Sequence, residues 1–347
     1  MLAPSEYEPA DAAGYLDTGT YGLPPRSALE AVEEALAGWR RRQPWRRGED
    51  DGEACRALFA RLVGARPEQI ALLPALSAAA GLVAASLPAD HGDNVVLCED
   101  DFTSTLLPWR GLESRGVQLR LRPLAELALA VDERTALVAV SSVQSADGAV
   151  ADLAALQATG ARIFVDATQA VGAVPVDVGS VDYLAAHPYK WLLSPRGLGF
   201  LYVREDRLAE IEPWTAGWKS REHPYETYYG LPELTSHARR LDVSLPWLLA
   251  AGARPSLELI AALRVERIAR HDLALARRFA SELGLPRPDA PIVRVRVGEA
   301  EAAVERLRAA GISCSVRAGS VRFCFHLYNT EDDVARALEA LAPAVTS

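Results

Sequence analysis

The chain has 347 residues, of which half are hydrophobic and 24% are charged, enough for one large and one smaller domain. Its net charge of -9 gives no electrostatic basis for binding nucleic acid or an anionic membrane surface. The four cysteines form no metal-ligand spacing with the six histidines, which favours free thiols in a reducing compartment. Because the acidic start of the chain also lacks a secretory signal, we predict a cytoplasmic protein without a metal site.

The longest run to be weighed as a membrane span is 71–89, which carries no charge. It consists mostly of alanine, serine and glycine, and Pro74 and Pro88 bracket it. We therefore predict a strand that ends near residue 73 and a buried helix over 77–87, with no membrane-spanning segment.

The first 25 residues predict an extended segment, followed by an amphipathic helix over 27–41 that Pro25 or Ser27 would begin. The run 39–53 is basic and then acidic, which favours a solvated loop. A loop at the substrate entrance, with arginines for an acidic side chain, is the alternative. Further strands are predicted at 69–73, 94–98, 135–141, 163–165, 181–186 and 200–203, and further helices at 54–63 and 152–159.

This alternation of strands and helices predicts an α/β domain of three layers around a mostly parallel sheet. Beyond residue 203 come loops rich in tryptophan and tyrosine, and then a long helix over 256–283 that leads to a small α+β domain. Its predicted strands are 292–297, 312–316 and 320–325, and its predicted helices are 300–310 and 330–341. The predicted organisation is an N-terminal segment (1–25), a large domain (26–250) and a small C-terminal domain (251–347).

Two charged residues follow buried strands. Asp166 ends the apolar strand at 163–165, and ligands bind at that edge of a parallel sheet. Lys190 comes 24 residues later among aromatic and apolar residues. From these residues alone, a structural explanation is as good as a functional one. The two residues could form a structural ion pair, or the lysine could cover a hydrophobic patch with its stem.

Three motifs resemble the cofactor-binding core of class V aminotransferases, fold type I enzymes that use pyridoxal 5'-phosphate (PLP). In order along the chain they are Asp166-Ala167-Thr168-Gln169, Tyr189-Lys190 and Gly197-Leu198-Gly199-Phe200-Leu201-Tyr202. The family, which also includes cysteine desulfurases and isopenicillin N epimerase, has Asp-Ala-x-Gln, a lysine after Ser, His or Tyr, and Gly-x-Gly-Phe/Ile-Leu-Tyr. The resemblance covers nearly the whole chain.

The resemblance implies a role for each residue around the cofactor ring. Lys190 would form the Schiff base (the internal aldimine) and then act as the general base at Cα. Asp166 would keep the pyridine nitrogen protonated, and Gln169 would bond the ring oxygen. Phe102 lies where the family stacks an aromatic ring on the cofactor. Gln144 and Ser145 would lie near the ring hydroxyl or the substrate, or would only form a turn with Asp147-Gly148.

A second set of residues would hold the cofactor phosphate. In the family a Gly-Thr-Thr turn at a helix N-terminus does this, and here it reads Ala75-Leu76-Ser77. Leu76 would offer only its backbone, and Ser77 its hydroxyl, unless Ser77 is a plain helix N-cap. His187 and Tyr189 precede the lysine where relatives place phosphate-binding side chains, although His187 could equally be an ordinary loop histidine.

The substrate residues implied by the resemblance come from the two ends of the chain. The segment from Ser320 to Thr330 resembles the family's Val-Arg-x-Ser-x-x-x-Tyr-Asn-Thr, whose arginine pairs with the substrate carboxylate. Arg322 takes that place. The opening Tyr15-Leu16-Asp17-Thr18-Gly19-Thr20-Tyr21-Gly22 resembles Tyr-Leu-Asn-x-Ala-x-x-Gly, which approaches the active site and makes Thr20 a substrate candidate. An ordinary glycine-rich loop is the alternative.

The family also implies a homodimer with shared active sites, in which loops such as 213–229 reach the partner subunit. The segment from Arg239 to Asp242 resembles Ala-Arg-Arg-Phe-Glu-x-Gly-Thr-Pro, whose threonine touches the neighbour's phosphate. This chain instead has Ser244-Leu245-Pro246 there.

We expect a PLP-dependent aminotransferase acting at Cα of a small L-amino acid. A β-lyase for C–S bonds (or of the selenocysteine lyase type) or an epimerase uses the same lysine and is the alternative. A cysteine desulfurase is less expected, because the family's loop with a nucleophilic cysteine is absent and Cys314 and Cys324 fall on predicted strands. The alternative to an enzyme is a catalytically silent binding module, which would show no cofactor absorbance.

Overall fold

The computed structural model describes residues 1–43, 46–226, 228–244 and 246–345. The strands are β1 (Ile70–Leu73), β2 (Asn94–Cys98), β3 (Gln118–Arg122), β4 (Thr135–Ser141), β5 (Ile163–Asp166), β6 (Tyr183–Ala186), β7 (Gly199–Val203), β8 (Ile292–Val295), β9 (Ser315–Arg317) and β10 (Ser320–Cys324). The α-helices are α1 (Pro9–Ala12), α2 (Arg26–Arg40), α3 (Arg46–Leu62), α4 (Leu76–Ser86), α5 (Thr103–Leu106), α6 (Leu153–Ala158), α7 (Trp247–Leu263), α8 (Val265–Glu282), α9 (Ala300–Ala309) and α10 (Glu331–Val345).

The larger sheet has the strand order β1-β7-β6-β5-β4-β2-β3. Neighbouring strands are parallel from β6 to β3, whereas β7 runs antiparallel to both β1 and β6. Along β5, Phe164 belongs to one buried cluster and Ile163 and Val165 to another, because successive side chains of a strand point to opposite faces. Helix α4 packs in the first cluster, and α3 and α7 pack in the second. The predicted three-layer, mostly parallel α/β architecture is confirmed.

The smaller sheet is antiparallel, in the order β8-β10-β9, and α8, α9 and α10 contribute to the buried cluster on it. The N-terminal segment runs along this sheet, since Tyr15 and Asp17 form parallel bridges with Ser313 and Cys324. This arrangement carries residues 17–22 to the edge of the larger sheet, where the backbone N–H of Gly22 donates to the carbonyl of Tyr189 at 2.9 Å. Any side chain at Gly22 would collide with the Lys190 carbonyl oxygen.

Several sequence predictions of element bounds were wrong. Helix α3 begins at residue 46, so half of the predicted solvated loop is helical; positions 44–45 lie outside the described residues. The single predicted helix over 256–283 is two helices, α7 and α8, separated at Arg264, where φ is +66°. The strand predicted at 312–316 is the shorter β9, and Cys314 precedes it. Edge strand β3, half exposed and rich in arginine, was not predicted.

The proposed division of the chain at residue 250 falls inside α7, which packs against α2 and α3 of the larger unit. We retain the three-part organisation as an interpretation. Among the helices of the described residues, none is long and apolar enough to cross a membrane.

Candidate active site

The carboxyl ends of the parallel strands β2, β4 and β5 meet at one edge of the larger sheet. Asp101 and Phe102 follow β2, Ser141 ends β4, and Asp166 ends β5. A cavity of about 140 Å³ lies there, lined by Ala75, Leu76, Ser77, Phe102, Ser104, Ser141, Ser145, Asp166, Thr168, Gln169, His187, Tyr189, Lys190 and Arg196. The structure thus brings nine of the predicted site residues together and leaves Gln144, Thr20 and Arg322 outside the cavity lining.

Asp166 is buried and oriented by three polar groups. Its Oδ1 accepts from the backbone N–H of Thr168 at 2.8 Å, its Oδ2 accepts from the Thr105 hydroxyl at 2.8 Å, and the Ser141 hydroxyl oxygen lies 3.5 Å from Oδ2. Within the described residues no lysine, arginine or histidine forms an ion pair with Asp166. A buried carboxylate held in this way is suited to a cationic N–H donor that enters the cavity.

A second buried carboxylate, Asp101, holds the turn that presents Phe102. It accepts hydrogen bonds from the backbone N–H of Phe102 at 2.7 Å and from the backbone N–H and hydroxyl of Ser141 at 2.7 and 2.5 Å. Burial raises the pKa of this carboxyl, with Asp166 adding to the shift. Ser141 therefore links the end of β4 to the turn that follows β2.

Lys190 projects into the same cavity and is 6% exposed. Its Nζ lies 5.4 Å from the centre of the Phe102 ring and 5.7 Å from that of Tyr189. Burial lowers the pKa of this amine to about 8, although Asp166 opposes the shift. A neutral amine, and hence a nucleophile and proton acceptor, is therefore accessible near neutral pH.

The cavity lining also includes groups that can hold an anion. Helix α4 begins here, and its N-cap is Ala75, not Ser77 as the plain-cap alternative supposed. Ser77 therefore lies within the first turn, with its side chain exposed toward the cavity, beside the free N–H groups of the helix end. Arg196 also lines this region.

One ring nitrogen of His187 indicates whether the cavity fits a cofactor that carries a phosphate. Its Nε2 is buried and, among the described residues, has no hydrogen-bond partner. Burial, with Arg196 and Lys190 nearby, lowers the pKa of the ring to about 4, so the imidazole is neutral. A neutral ring with an unpaired buried nitrogen in a cavity of anion-binding groups fits a bound phosphate ester, which would accept its N–H.

The two glutamines are engaged within the protein. Gln169 donates from Nε2 to the carbonyl of Gly19 at 3.0 Å and accepts from the Trp191 indole at 2.7 Å. Gln144 donates to Asp101 at 3.2 Å and to the carbonyl of Ser141 at 3.3 Å. In this structure Gln169 ties the N-terminal segment to the lysine loop, and Ser145 rather than Gln144 reaches the cavity. Their predicted contacts to the ring and the substrate stay predictions.

Arg322 lies on β10 and is 1% exposed. Its guanidinium donates to the carbonyl of Ser145 at 2.7 Å, to Thr20 Oγ1 at 2.6 Å and to Asp17 Oδ1 at 3.1 Å. The sequence argument expected a substrate anion beside this buried arginine, and the structure provides an internal one in Asp17. Thr20 is a ligand of the guanidinium in this arrangement.

Sequence reasoning missed four residues of the site region: Asp17, Thr105, Arg196 and Arg317. Asp17 was visible as a departure from the asparagine of the family motif. Thr105 lies one helical turn after Phe102 at the same sheet edge, and a hydroxyl there could have been paired with Asp166. Arg196 directly precedes the first glycine of the third motif, and no role was predicted for it because it falls in a turn.

None of the four cysteines is an activated thiol. Burial raises the pKa of Cys98 to about 11 and that of Cys314 to about 12, and burial also raises the pKa of Cys55 and Cys324. A thiol becomes a nucleophile through its thiolate, which these surroundings disfavour. Cys324 lies on β10 as expected, whereas Cys314 lies ahead of β9.

Comparison with known proteins agrees with this geometry. The chain is 30% identical over 319 residues to the uncharacterized aminotransferase YcbU of Bacillus subtilis, covering 86% of this chain and 85% of that protein. It is 29% identical over 241 residues to a probable cysteine desulfurase of Methanothermobacter thermautotrophicus, covering 65% of this chain and 60% of that protein.

Among solved structures, the complex of the cystine C-S lyase C-DES with cysteine persulfide superimposes with a TM-score of 0.88. The alignment covers 96% of this chain and 98% of that chain at 23% identity, which establishes a common fold. Residues 46–290 match the family described as Aminotransferase class-V. The chain therefore belongs to the class V aminotransferase family, whose cofactor is PLP.

Proposed function

We propose that this PLP-dependent enzyme catalyses transamination of a small L-amino acid, with Lys190 moving protons at the substrate Cα. The observation that carries the proposal is the placement of Lys190 and Asp166 in one cavity, with the lysine pKa lowered to about 8 by burial. A base with a pKa near the working pH is the most effective proton-transfer group.

When bound, PLP supplies an electron sink for the electrons released as the substrate Cα loses a proton. Asp166 would hold a proton at the pyridine nitrogen, because this carboxylate has hydrogen-bond donors around it and forms no ion pair with any described residue. Phe102, which is 44% exposed, would cover one face of the cofactor ring. Ser77, His187 and Arg196 would hold the phosphate from the end of α4.

Transamination is supported by the similarity to an aminotransferase over most of both chains. It requires Lys190 to take a proton from one carbon and return it to another, which a flexible amine in a dry pocket can do. That the substrate is a small amino acid stays a prediction.

The second candidate is β-elimination at a C–S bond, which the similarity to a probable cysteine desulfurase favours. A desulfurase needs a protein thiolate to receive the sulfur, and the raised pKa values of the four thiols oppose that step. Elimination needs only the base and the cofactor, so this site could perform it. Epimerisation uses the same proton removal and remains an alternative outcome.

A catalytically silent module is disfavoured by the same site. A binding module would not need a desolvated lysine opposite a held carboxylate, and both features reduce stability unless a ligand uses them.

The test is a product analysis of the PLP-loaded enzyme with each of the twenty L-amino acids. We expect the visible absorbance band of the cofactor to be lost with one of them, a stoichiometric 2-oxo acid to form, and the band to return when a different 2-oxo acid is added. Catalytic release of ammonia with pyruvate or sulfide would instead identify a lyase. Loss of optical rotation alone would identify an epimerase. Absence of any cofactor absorbance band would contradict the proposed enzymatic function.

A further inference from the structure

The connection that carries Lys190 has no regular secondary structure of its own. It runs from residue 187 to residue 198, between β6 and β7, and the structure, which describes all of it, shows neither a helix nor a strand there. Within it Leu193 has a φ of +58°, a conformation that is uncommon for residues other than glycine. The conformation around Lys190 therefore depends on contacts with other parts of the chain.

The backbone carbonyl groups on the two sides of Lys190 are each held by a distant segment. The Tyr189 carbonyl accepts from the backbone N–H of Gly22 at 2.9 Å. The Trp191 carbonyl lies 3.0 Å from Nε2 of His326, a fully buried residue that follows β10 of the smaller sheet. One side chain of the smaller unit thus contacts the residue directly after the lysine.

His326 also contacts a buried carboxyl group. Its Nδ1 lies 2.8 Å from Oδ2 of Asp272 on α8, and both side chains are 0% exposed. Because the Trp191 carbonyl can only accept a hydrogen bond, Nε2 has to carry a hydrogen. One further proton then lies between Nδ1 and Oδ2, either on an imidazolium that faces a carboxylate or on a carboxylic acid that faces a neutral ring. In both forms Asp272 fixes Nε2 as the donor to Trp191.

Packing alone does not account for this pair. Oδ1 of Asp272 is buried without a hydrogen-bond partner among the described residues. Burial raises the pKa of this carboxyl to about 6, although His326 opposes the shift. An unpaired buried oxygen costs stability, and hydrophobic residues of similar volume often serve a fold equally well. His326 also falls at an unspecified position of the motif that ends in Tyr-Asn-Thr, so the motif does not require it.

We propose that Asp272 and His326 are positioning residues for Lys190: the imidazole, oriented by the carboxyl group, holds the Trp191 carbonyl and thereby keeps the lysine amine inside the cavity. The inference rests on the proposed function and deepens it, because a base that moves protons between two carbons has to stay aligned with both. Neither residue is among the described residues that line the cavity, so both act through the backbone of the connection 187–198.

The test compares two replacements of nearly equal size. His326→Gln keeps an N–H donor for the Trp191 carbonyl, whereas His326→Met removes it. The measured quantity is the pKa of each lysine amine in the cofactor-free protein, obtained from the pH dependence of acetylation by acetic anhydride and resolved by mass spectrometry. Since the chain has only two lysines, Lys219 serves as the internal reference.

In His326→Met the pKa of Lys190 should rise from about 8 to about 9 or higher, toward its ordinary 10.5, because the released connection lets water reach the amine. The pKa of Lys219 should stay at its wild-type value, and His326→Gln should leave both amines unchanged. In the PLP-loaded enzyme, His326→Met should slow the change of the cofactor band at saturating amino acid on the order of 10- to 100-fold. The half-saturating concentration should not change, and His326→Gln should restore most of the rate.

Two further variants separate positioning from stability. His326→Met leaves Asp272 without its partner, so the double variant Asp272→Leu with His326→Met is used if the single variant does not fold. Arg56→Ala disrupts a buried ion pair with Asp242. It should lower the melting temperature without changing the pKa of Lys190.

A wild-type pKa of Lys190 in a folded variant that lacks the donor would overturn the inference. An equal rise of this pKa in His326→Gln or in Arg56→Ala would also overturn it, because lost stability and not the lost donor would then expose the amine. If the pKa rises as expected but no amino acid alters the cofactor band of the wild type, the positioning role stands and the proposed transamination fails.

Discussion

Lys190 is one of only two lysines in the chain, the other being Lys219. Burial lowers the pKa of both amines to about 8, so the amine alone does not distinguish them. Their surroundings do. Lys219 lies beside Trp218 and Tyr225 in a cavity with Glu53 and Arg239. Lys190 shares its cavity with Asp166, the start of α4 and the unpaired His187 nitrogen. These groups match the three parts of PLP, which are the carbon that Lys190 would bond, the pyridine nitrogen and the phosphate.

A buried amine should destabilise the protein while the cofactor is absent. The pKa of Lys190 in the folded chain, about 8, lies below the ordinary 10.5, so the unfolded chain binds more protons between these values. The cost is therefore full below about pH 8 and declines as pH rises toward 10.5. We predict that Lys190→Met stabilises the cofactor-free protein by roughly 2–3 kcal/mol at pH 7 and by much less at pH 10.

Urea unfolding of both proteins at the two pH values measures this. An equal difference at pH 7 and pH 10 would show that packing of the methionine, and not the charge, is responsible.

Individual contacts of the site were only partly predictable. The motif residues Asp166, Lys190 and Phe102 lie where the sequence placed them, because strand ends and short turns determine their positions locally. Thr105 and Asp17 act through partners distant in sequence, and a threonine or an aspartate in a loop carries no signal that names its partner. Arg322 was correctly placed on its strand, but the internal carboxylate beside it comes from a segment 305 positions away.

At the scale of elements, β1 ends the larger sheet, and the segment around Asp242 covers it. The Asp242 carboxylate accepts from the backbone N–H of Leu72 at 2.8 Å and pairs with Arg56 of α3 at 2.5 Å. Both side chains are about 95% buried. In this structure the segment 239–242, which resembles a family motif, thus contributes Asp242 to a buried ion pair with Arg56. Leu245 lies outside the described residues.

We predict that Arg56→Ala lowers the free energy of unfolding by about 3–5 kcal/mol, because Asp242 would be left buried and without its cation. Arg66→Ala is the matched control. It removes an arginine from an ion pair with Glu205 in which both side chains are mostly exposed, and solvent screening leaves such pairs with little effect on stability. Chemical denaturation of the two variants beside wild type is the measurement. Equal effects would mean that the covering of β1 does not depend on the buried pair.

Element bounds followed the strength of local signals. Buried strands such as β2 and β4 were predicted to the residue, because apolar runs with turn residues at both ends define them. The break between α7 and α8 was missed because Arg264, where φ is positive, is neither glycine nor proline and gives no local signal of a break. The start of α3 was predicted to be a loop because its run of charged residues and glycines has no apolar periodicity.

At the scale of the whole molecule, the segment 214–234 leaves large hydrophobic side chains exposed. Leu231 is fully exposed and Trp214 is 73% exposed. Large hydrophobic side chains exposed within one segment are typical of interaction surfaces, and we propose that this segment contributes to a homodimer.

We predict that the double variant Trp214→Asp with Leu231→Asp sediments as a monomer where the wild type sediments as a dimer. Leu129→Asp, at a position 85% exposed elsewhere on the surface, should leave the dimer intact. Sedimentation velocity distinguishes these outcomes. A wild-type monomer, or a dimer that survives the double change, would refute the assignment of this surface.

The central claim is that Lys190 is the residue that carries the cofactor, and reductive labelling tests it most directly. Borohydride treatment of the PLP-loaded enzyme, followed by digestion and mass spectrometry, should place the pyridoxyl group on the peptide containing Lys190. Lys190→Ala should abolish the label and Lys219→Ala should retain it. A label on Lys219, or undiminished labelling in Lys190→Ala, would contradict the account.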